Sequence, residues 1–205
     1  MIERQVIILV LKVIIILIAA YLLGSVNLAV LISKFVLKQD VRDKGSGNAG
    51  ATNVARVFGM KFGVVTLIGD IIKTLLAALV GHLLLGDIGE AIACLGCLFG
   101  HAWPVFFNFK GGKGIAVGAA VIAVTDWRVL IISLSIFVIV VAITKMISAG
   151  SVCAAFSFPV LLPFFGPAWY NIVMSIFAAS MVIWLHRANI KRIINGTESK
   201  FSFKK

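Results

Sequence analysis

The chain has 205 residues, 61% of them hydrophobic, and a net charge of +11. Soluble domains are about 45–50% apolar, so this composition excludes an ordinary water-soluble domain and indicates a membrane protein. The positive charge sits in short links between apolar runs rather than among interleaved exposed aromatics, which argues against nucleic-acid binding and for a basic cytoplasmic membrane face.

The apolar runs can be measured against the roughly 20 residues needed to cross hydrocarbon. The first covers residues 6–37 and is longer than one crossing. A span starting near Val13, with Lys12 snorkelling outward, fits it. The run is too long for a signal peptide and has no small-residue cleavage pattern after it, so it is expected to remain as a span. Later runs cover residues 62–85, 91–107, 115–125, 127–147, 149–165 and 168–185. The three cysteines, Cys94, Cys97 and Cys153, lie in apolar segments and read as packing residues rather than a disulfide framework.

Charges in the links set the orientation. Lys38, Arg42, Lys44, Arg56 and Lys61 fill the first link, and Lys110 and Lys113 follow the third run. Lys145 follows the fifth, and Arg187, Lys191, Arg192, Lys200, Lys204 and Lys205 form the tail. The alternate links hold Asp87 and Glu90, then Asp126 and Arg128, then only residues 163–167. The positive-inside rule then predicts an extracytoplasmic N-terminus and a cytoplasmic C-terminus. The short run at 115–125 must also cross to keep the basic links on one side, its helix starting inside the Gly111–Gly114 loop or sitting where the bilayer is thin. The expected fold class is an all-α integral membrane protein, a single domain of seven transmembrane helices with cytoplasmic glycine-rich loops.

Three chemistry-bearing segments fall on that one face. The first reads GSGNAGATN at 45–53, followed by Arg56. Three glycines within six residues can turn backbone N–H groups toward one point, Ser46, Asn48, Thr52 and Asn53 supply neutral donors, and Arg56 supplies a fork suited to phosphate. The plainer alternative is a polar connector with a helix cap at Thr52 or Asn53. The second segment runs from GHAWP, which contains His101, to Lys110-Gly111-Gly112-Lys113-Gly114. It is a second phosphate contact or a plain hairpin turn, and Gly114 would open a helix whose N-terminal dipole favours an anion. The third holds His186, Arg187 and Asn189, then Arg192, Gly196 and Glu198. His186 and Asn189 share a helix face at i,i+3. His101 reads more simply as a buried core histidine, and the His82–Asp87 spacing as coincidence on the opposite face.

Asp70 and Lys73 lie three residues apart inside an apolar run. Ionisable groups in lipid are costly and mark functional positions by default. They either neutralise each other or orient the Arg56 region. Neither a nucleophile–base triad nor a metal-ligand cluster is readable from spacing, so positioning and charge stabilisation are better supplied than general-base chemistry.

Taken together, GSGNAGATN with Arg56, GHAWP through FKGGKG, and HRANIKR with GTE resemble the three motif regions of the bacterial acyl-phosphate glycerol-3-phosphate acyltransferases, the PlsY family. The resemblance runs from about Tyr21 to Glu198 and leaves residues 1–11 as an N-terminal extension and 199–205 as a basic tail. Thr74 stands where the family has glycine after Asp-x-x-Lys. The resemblance implies acyl transfer from acyl phosphate to the sn-1 hydroxyl of glycerol 3-phosphate at the bacterial inner membrane, with no cofactor and no metal. It assigns Ser46, Arg56, Lys113, His186 and Asn189 to phosphate binding and transition-state stabilisation. Gly45, Gly47, Asn48, Gly50, Thr52, Asn53, His101, Lys110, Gly111, Gly112, Gly114 and Arg187 would line or shape the substrate site. The implied partners are the two phosphorylated substrates, the bilayer and the soluble enzyme that makes acyl phosphate. A transporter built on broken helices is the main rival, but no internal repeat supports it. A bare membrane anchor would not need the clustered loops.

Overall fold

The computed structural model describes residues 2–201; Lys204 and Lys205 of the basic tail lie outside the described residues. All regular structure among the described residues is helical. Contacts divide the chain into two compact units, Met1–Val121 and Ile122–Lys205.

In the first unit, α1 spans Ile2–Ser25. It starts well before Val13, so Lys12 lies inside a helix rather than ahead of one. Residues 2–11 contain no glycine or proline to stop the helix. The long apolar run is not one rod. It breaks at Asn27, whose extended backbone and side chain cap the next helix by accepting from the Val30 N–H at 3.1 Å. That helix, α2 (Leu28–Leu31), continues into a wider-wound turn over Ile32–Val36. A tight turn at Val41–Asp43 and α3 (Ala51–Phe58) follow.

Next comes α4, Met60–Ala102. Leu85 and Gly86 leave helical geometry inside it, with Gly86 at φ +62°. On a straight helix Lys73 and His101 would be about 42 Å apart. Instead Lys73 Nζ lies 3.1 Å from His101 Nδ1, and Cys97 Sγ lies 3.7 Å from Thr74 Oγ1. The two arms therefore run antiparallel, closed by Gly81 against Gly89 where any Cβ would strike backbone. The second arm also lies close along α1, because Cβ atoms at Gly24 and Gly100 would meet the backbone oxygens of Cys97 and Tyr21. The helix stops at Ala102, short of residue 107. Pro104 disfavours helical geometry at the residue before it, and Trp103 sits at φ −127°, ψ 70°. Ala29, Val30, Val41, Ala49 and Val54 form a small buried cluster, with Phe58, Phe62 and Phe107 packed on it. Helix α5 spans Ile115–Thr125.

In the second unit, Asp126 caps α6 (Trp127–Thr144) by accepting from the Arg128 and Val129 N–H groups. Helix α7 (Ile147–Leu161) returns along α6. Gly150 lies against the Phe137 carbonyl, and Ser157 Oγ bonds Ser133 Oγ at 2.9 Å in the buried contact. Helix α8 (Trp169–Leu185) and α9 (Arg187–Ile194) meet at a 58° bend. Among the described residues, four helical stretches can cross a membrane by length and composition, or five if the bent α8–α9 pair counts as one.

Candidate glycine-loop site

The first loop is organised by a buried asparagine. Asn53, 1% exposed, donates from Nδ2 to the carbonyls of Val41 (3.1 Å) and Lys44 (3.0 Å), and its Oδ1 accepts from the Ser46 N–H (2.9 Å). Gly45 and Gly47 take left-handed backbone (φ +59° and +71°), and a Cβ on Gly45 would strike Asn53 Oδ1. Asn53 thus shapes the loop from within. Ser46, Thr52 and Arg56 are exposed, Asn48 is half-buried, and Gly50 opens α3.

In the second loop, Asn108 and Phe109 both sit at φ +56°, unusual for residues with side chains. The Phe107 and Phe109 N–H groups both donate to Pro104 O, at 3.1 and 3.0 Å. Gly111 N–H donates to Ala102 O and Gly112 N–H to His101 O, each at 3.1 Å. A Cβ on Gly112 would collide with the His101 ring and the Ala49 carbonyl. These bonds correct the expectation that glycine amides aim at an anion. Those of Gly47, Gly111 and Gly112 are committed to carbonyls, with Gly47 N–H on Lys44 O at 3.0 Å. Glycine here allows close approach. The cationic side chains on these segments are Lys110, Lys113 and Arg56, and the first turns of α3 and α5 present N–H groups that have no intrahelical partner. Lys110 is exposed, Lys113 half-buried, and Gly114 (φ +78°) leads directly into α5.

Arg42 brackets the two loops. Its Nε and Nη2 engage the Asp40 carboxylate at 2.8–3.2 Å, while Nη1 donates to Phe107 O at 2.8 Å and Lys110 O at 3.5 Å. Lys34 Nζ also lies 3.1 Å from Asp40. The Arg42 hydrogen bonds hold the Asp40 carboxyl well below the usual carboxylate range, against the opposing effect of burial. Beside this bracket lies a polar cavity of about 320 Å³, lined by Asp40, Arg42, Asp43, Gly47, Asn108, Lys110 and Gly111.

His101 is buried, and its neighbours are Lys73 and Asp70. The Asp70–Lys73 pair, 2.8 Å apart, reaches His101 and the end of α1 rather than Arg56. His82 Nδ1 lies 3.3 Å from Asp87 and 3.5 Å from Glu90, where the α4 arms turn.

In the second unit, Glu198 gathers the third motif. Its Oε1 accepts from Ser148 Oγ (2.7 Å) and Asn189 Nδ2 (2.6 Å), and its Oε2 from Arg192 Nε (2.7 Å). Burial raises the Glu198 carboxyl, and these three hydrogen bonds more than offset it, leaving it below its ordinary value. His186 is buried, with Nδ1 2.8 Å from Val182 O. A carbonyl only accepts, so Nδ1 carries a proton, and in the neutral ring Nε2 is the basic nitrogen. Arg187 is exposed and stacks 3.9 Å over Trp184.

Comparison with known proteins then decides the family. Residues 14–196 match the family described as glycerol-3-phosphate acyltransferase. The chain belongs to that family. It is 42% identical over 187 residues to the glycerol-3-phosphate acyltransferase of Thermoanaerobacter pseudethanolicus, covering 91% of this chain and 94% of that one. It is 40% identical over 186 residues to the one from Carboxydothermus hydrogenoformans, covering 91% and 95%. A crystal structure of PlsY, an integral membrane glycerol 3-phosphate acyltransferase, in its glycerol 3-phosphate form superposes with a TM-score of 0.88. That match has 33% identity over 93% of this chain and 96% of the other. A lysophosphatidic acid form of PlsY matches with a TM-score of 0.85.

As a member of the glycerol-3-phosphate acyltransferase family, the chain carries features that motif reading passed over. Arg42 counted only as an orienting charge, although Asp40-x-Arg42 is a spacing at which a carboxylate can grip a guanidinium. Asn27 and Ser25 passed unnoticed inside an apolar run. Yet Asn27 Nδ2 donates to Ala49 O (3.2 Å), and Ser25 Oγ accepts from the Val105 N–H (3.4 Å). Polar side chains at 0–1% exposure amid apolar neighbours were the available signal.

Proposed function

We propose that this acyltransferase moves a fatty acyl group from acyl phosphate to the sn-1 hydroxyl of glycerol 3-phosphate. The hydroxyl oxygen attacks the acyl carbonyl carbon, the bond from that carbon to the phosphate oxygen breaks, and the products are lysophosphatidic acid and inorganic phosphate. The observation that carries this reading is the near-full-length likeness to PlsY in its glycerol 3-phosphate and lysophosphatidic acid forms. Two basic glycine-rich loops in the first unit suit a reaction in which donor and acceptor both bear phosphate.

Ser46, Arg56 and Lys113 are assigned to phosphate binding and to the charge that builds on the attacked carbonyl. The motif resemblance gives the same role to His186 and Asn189, with Arg187 and Lys110 in support. Gly45, Gly47, Gly50, Gly111, Gly112 and Gly114 permit the loop conformations, with Asn48, Thr52 and His101 shaping their surroundings. The family resemblance implies a substrate-assisted route, in which a substrate phosphate takes the hydroxyl proton. We further propose seven crossings, with both arms of α4 and the short α5 each counted as one. The N-terminus is extracytoplasmic and the loops are cytoplasmic, in a bacterial inner membrane. Acyl phosphate then arrives from a soluble enzyme that makes it.

The test is turnover by purified protein with glycerol 3-phosphate and either acyl phosphate or acyl-CoA. Lysophosphatidic acid and phosphate are expected to appear in equal amounts with acyl phosphate alone. Product from acyl-CoA without product from acyl phosphate would overturn the donor assignment, and movement of glycerol 3-phosphate across vesicles without chemistry would favour a transporter.

A further inference from the structure

Lys73 is buried in the first arm of α4, yet its ammonium is surrounded by polar groups from three parts of the chain. It donates to Gly24 O at 3.0 Å and Val26 O at 2.9 Å, the carbonyls left open where α1 ends. Asp70 Oδ1 lies 2.8 Å away, and His101 Nδ1 lies 3.1 Å away. An ammonium has three donors and no lone pair, so a bonded His101 turns an unprotonated Nδ1 to it and, in the neutral ring, carries its proton on Nε2. That Nε2 edge is the one against Gly112, whose N–H is held by the His101 carbonyl. On the other side, Val26 is followed directly by Asn27, whose amide holds Ala49 of the first loop. One side chain thus sits beneath both glycine-rich loops, joined to the first through Val26 and Asn27 and to the second through His101.

We propose that Lys73 is a positioning residue for acyl transfer, fixing the two loops against each other from inside the helices, with Asp70 balancing its charge. The proposal rests on the functional reading above but concerns a residue that touches neither substrate. Asp70 Oδ1 is buried and meets the ammonium at ion-pair distance without a hydrogen bond of its own. Its role is therefore to neutralise the lysine, while the directional bonds of Lys73 go to the α1 carbonyls and His101.

The two roles separate experimentally in purified full-length protein. Lys73→Met leaves a buried carboxylate unpaired and should lower both the melting temperature and the rate. The double variant Asp70→Asn/Lys73→Met removes both charges, and its melting temperature should return to within about 5 °C of wild type. Its kcat should stay ~50-fold or more below wild type with both KM values within about threefold, because misaligned loops disturb the meeting of the reactants more than the binding of either. A double variant that regains wild-type kcat along with its stability overturns the proposal. Should that variant not fold, Lys73→Arg decides. It keeps the charge, but a planar fork does not reproduce the convergent bonds, so folded protein with kcat down about tenfold supports the proposal and wild-type kcat overturns it. Wild-type enzyme serves as the control. If it turns over only with another donor, the donor reading fails, and the same variants are compared with that donor.

Discussion

The two glycine-rich loops look alike in sequence and are held in different ways. The loop at 45–53 is held mainly by a member of its own motif, since Asn53 bonds Val41, Lys44 and Ser46, with Asn27 adding one bond to Ala49. The loop at 109–114 is held from outside, by the Ala102 and His101 carbonyls beneath it and by Arg42 at its shoulder. A glycine-rich stretch is therefore not in itself a flexible stretch or an amide cradle. In both loops glycine lets another group come close, and the identity of that group decides what the loop depends on.

If that distinction holds, substitutions should act in a graded way. The largest effect is expected from Lys113→Ala, which removes a positive charge beside the second loop; transfer should fall about 1,000-fold or more while the protein stays folded in membranes. Near-normal turnover would remove Lys113 from the mechanism. Gly112→Ala should come next, at about 100-fold, because a Cβ must displace the His101 ring or the Ala49 carbonyl, and a shift of that size is costly to alignment. Helical content by circular dichroism should not change. Asn53→Ala should act mainly on stability, by roughly 3 kcal/mol in a denaturation experiment, because it strips three hydrogen bonds and strands buried groups. An equal loss from Asn48→Ala would erase the contrast between scaffold and rim. Arg42→Gln should reduce kcat/KM about tenfold, by releasing the second loop while leaving the Asn53 bonds intact.

The smallest effect is one of pH. Asp40 has a lower pKa folded than unfolded, so its stabilisation is fully present above the ordinary carboxylate value and is lost as pH falls through the depressed one. The melting-temperature difference between wild type and Asp40→Asn should be constant from about pH 5 to 8 and shrink below about pH 4. A difference that grows on acidification would contradict the Arg42 bracket.

Legibility from sequence followed the range of the interactions. The apolar run at 115–125 coincides with α5, because Gly114 and Asp126 punctuate it locally, and the helix starts at Ile115 rather than inside the Gly111–Gly114 loop. The second α4 arm ends at Ala102, where Trp103 and Pro104 close the apolar run. The break at Asn27 was missed, since one polar residue in a long apolar run carries little weight until its partner at Ala49 is known. Asp70 was readable as a partner of Lys73, but the carbonyl acceptors of Lys73 were beyond reach, lying 47 and 49 residues earlier in the chain. Glu198 and Ser148 likewise meet across 50 residues. Backbone acceptors have no residue identity, so a motif reading that matches side chains to substrates passes over them.

The reversal at Leu85–Gly86 has a topological outcome. The arms run antiparallel, so Met60 and Ala102 lie at the same end of the hairpin. On the seven-crossing topology proposed above, the segments that carry Arg56 and Lys113 then share an aqueous phase whichever way the polypeptide inserts. Inverting the whole protein would move both together and leave that half of the chemistry intact.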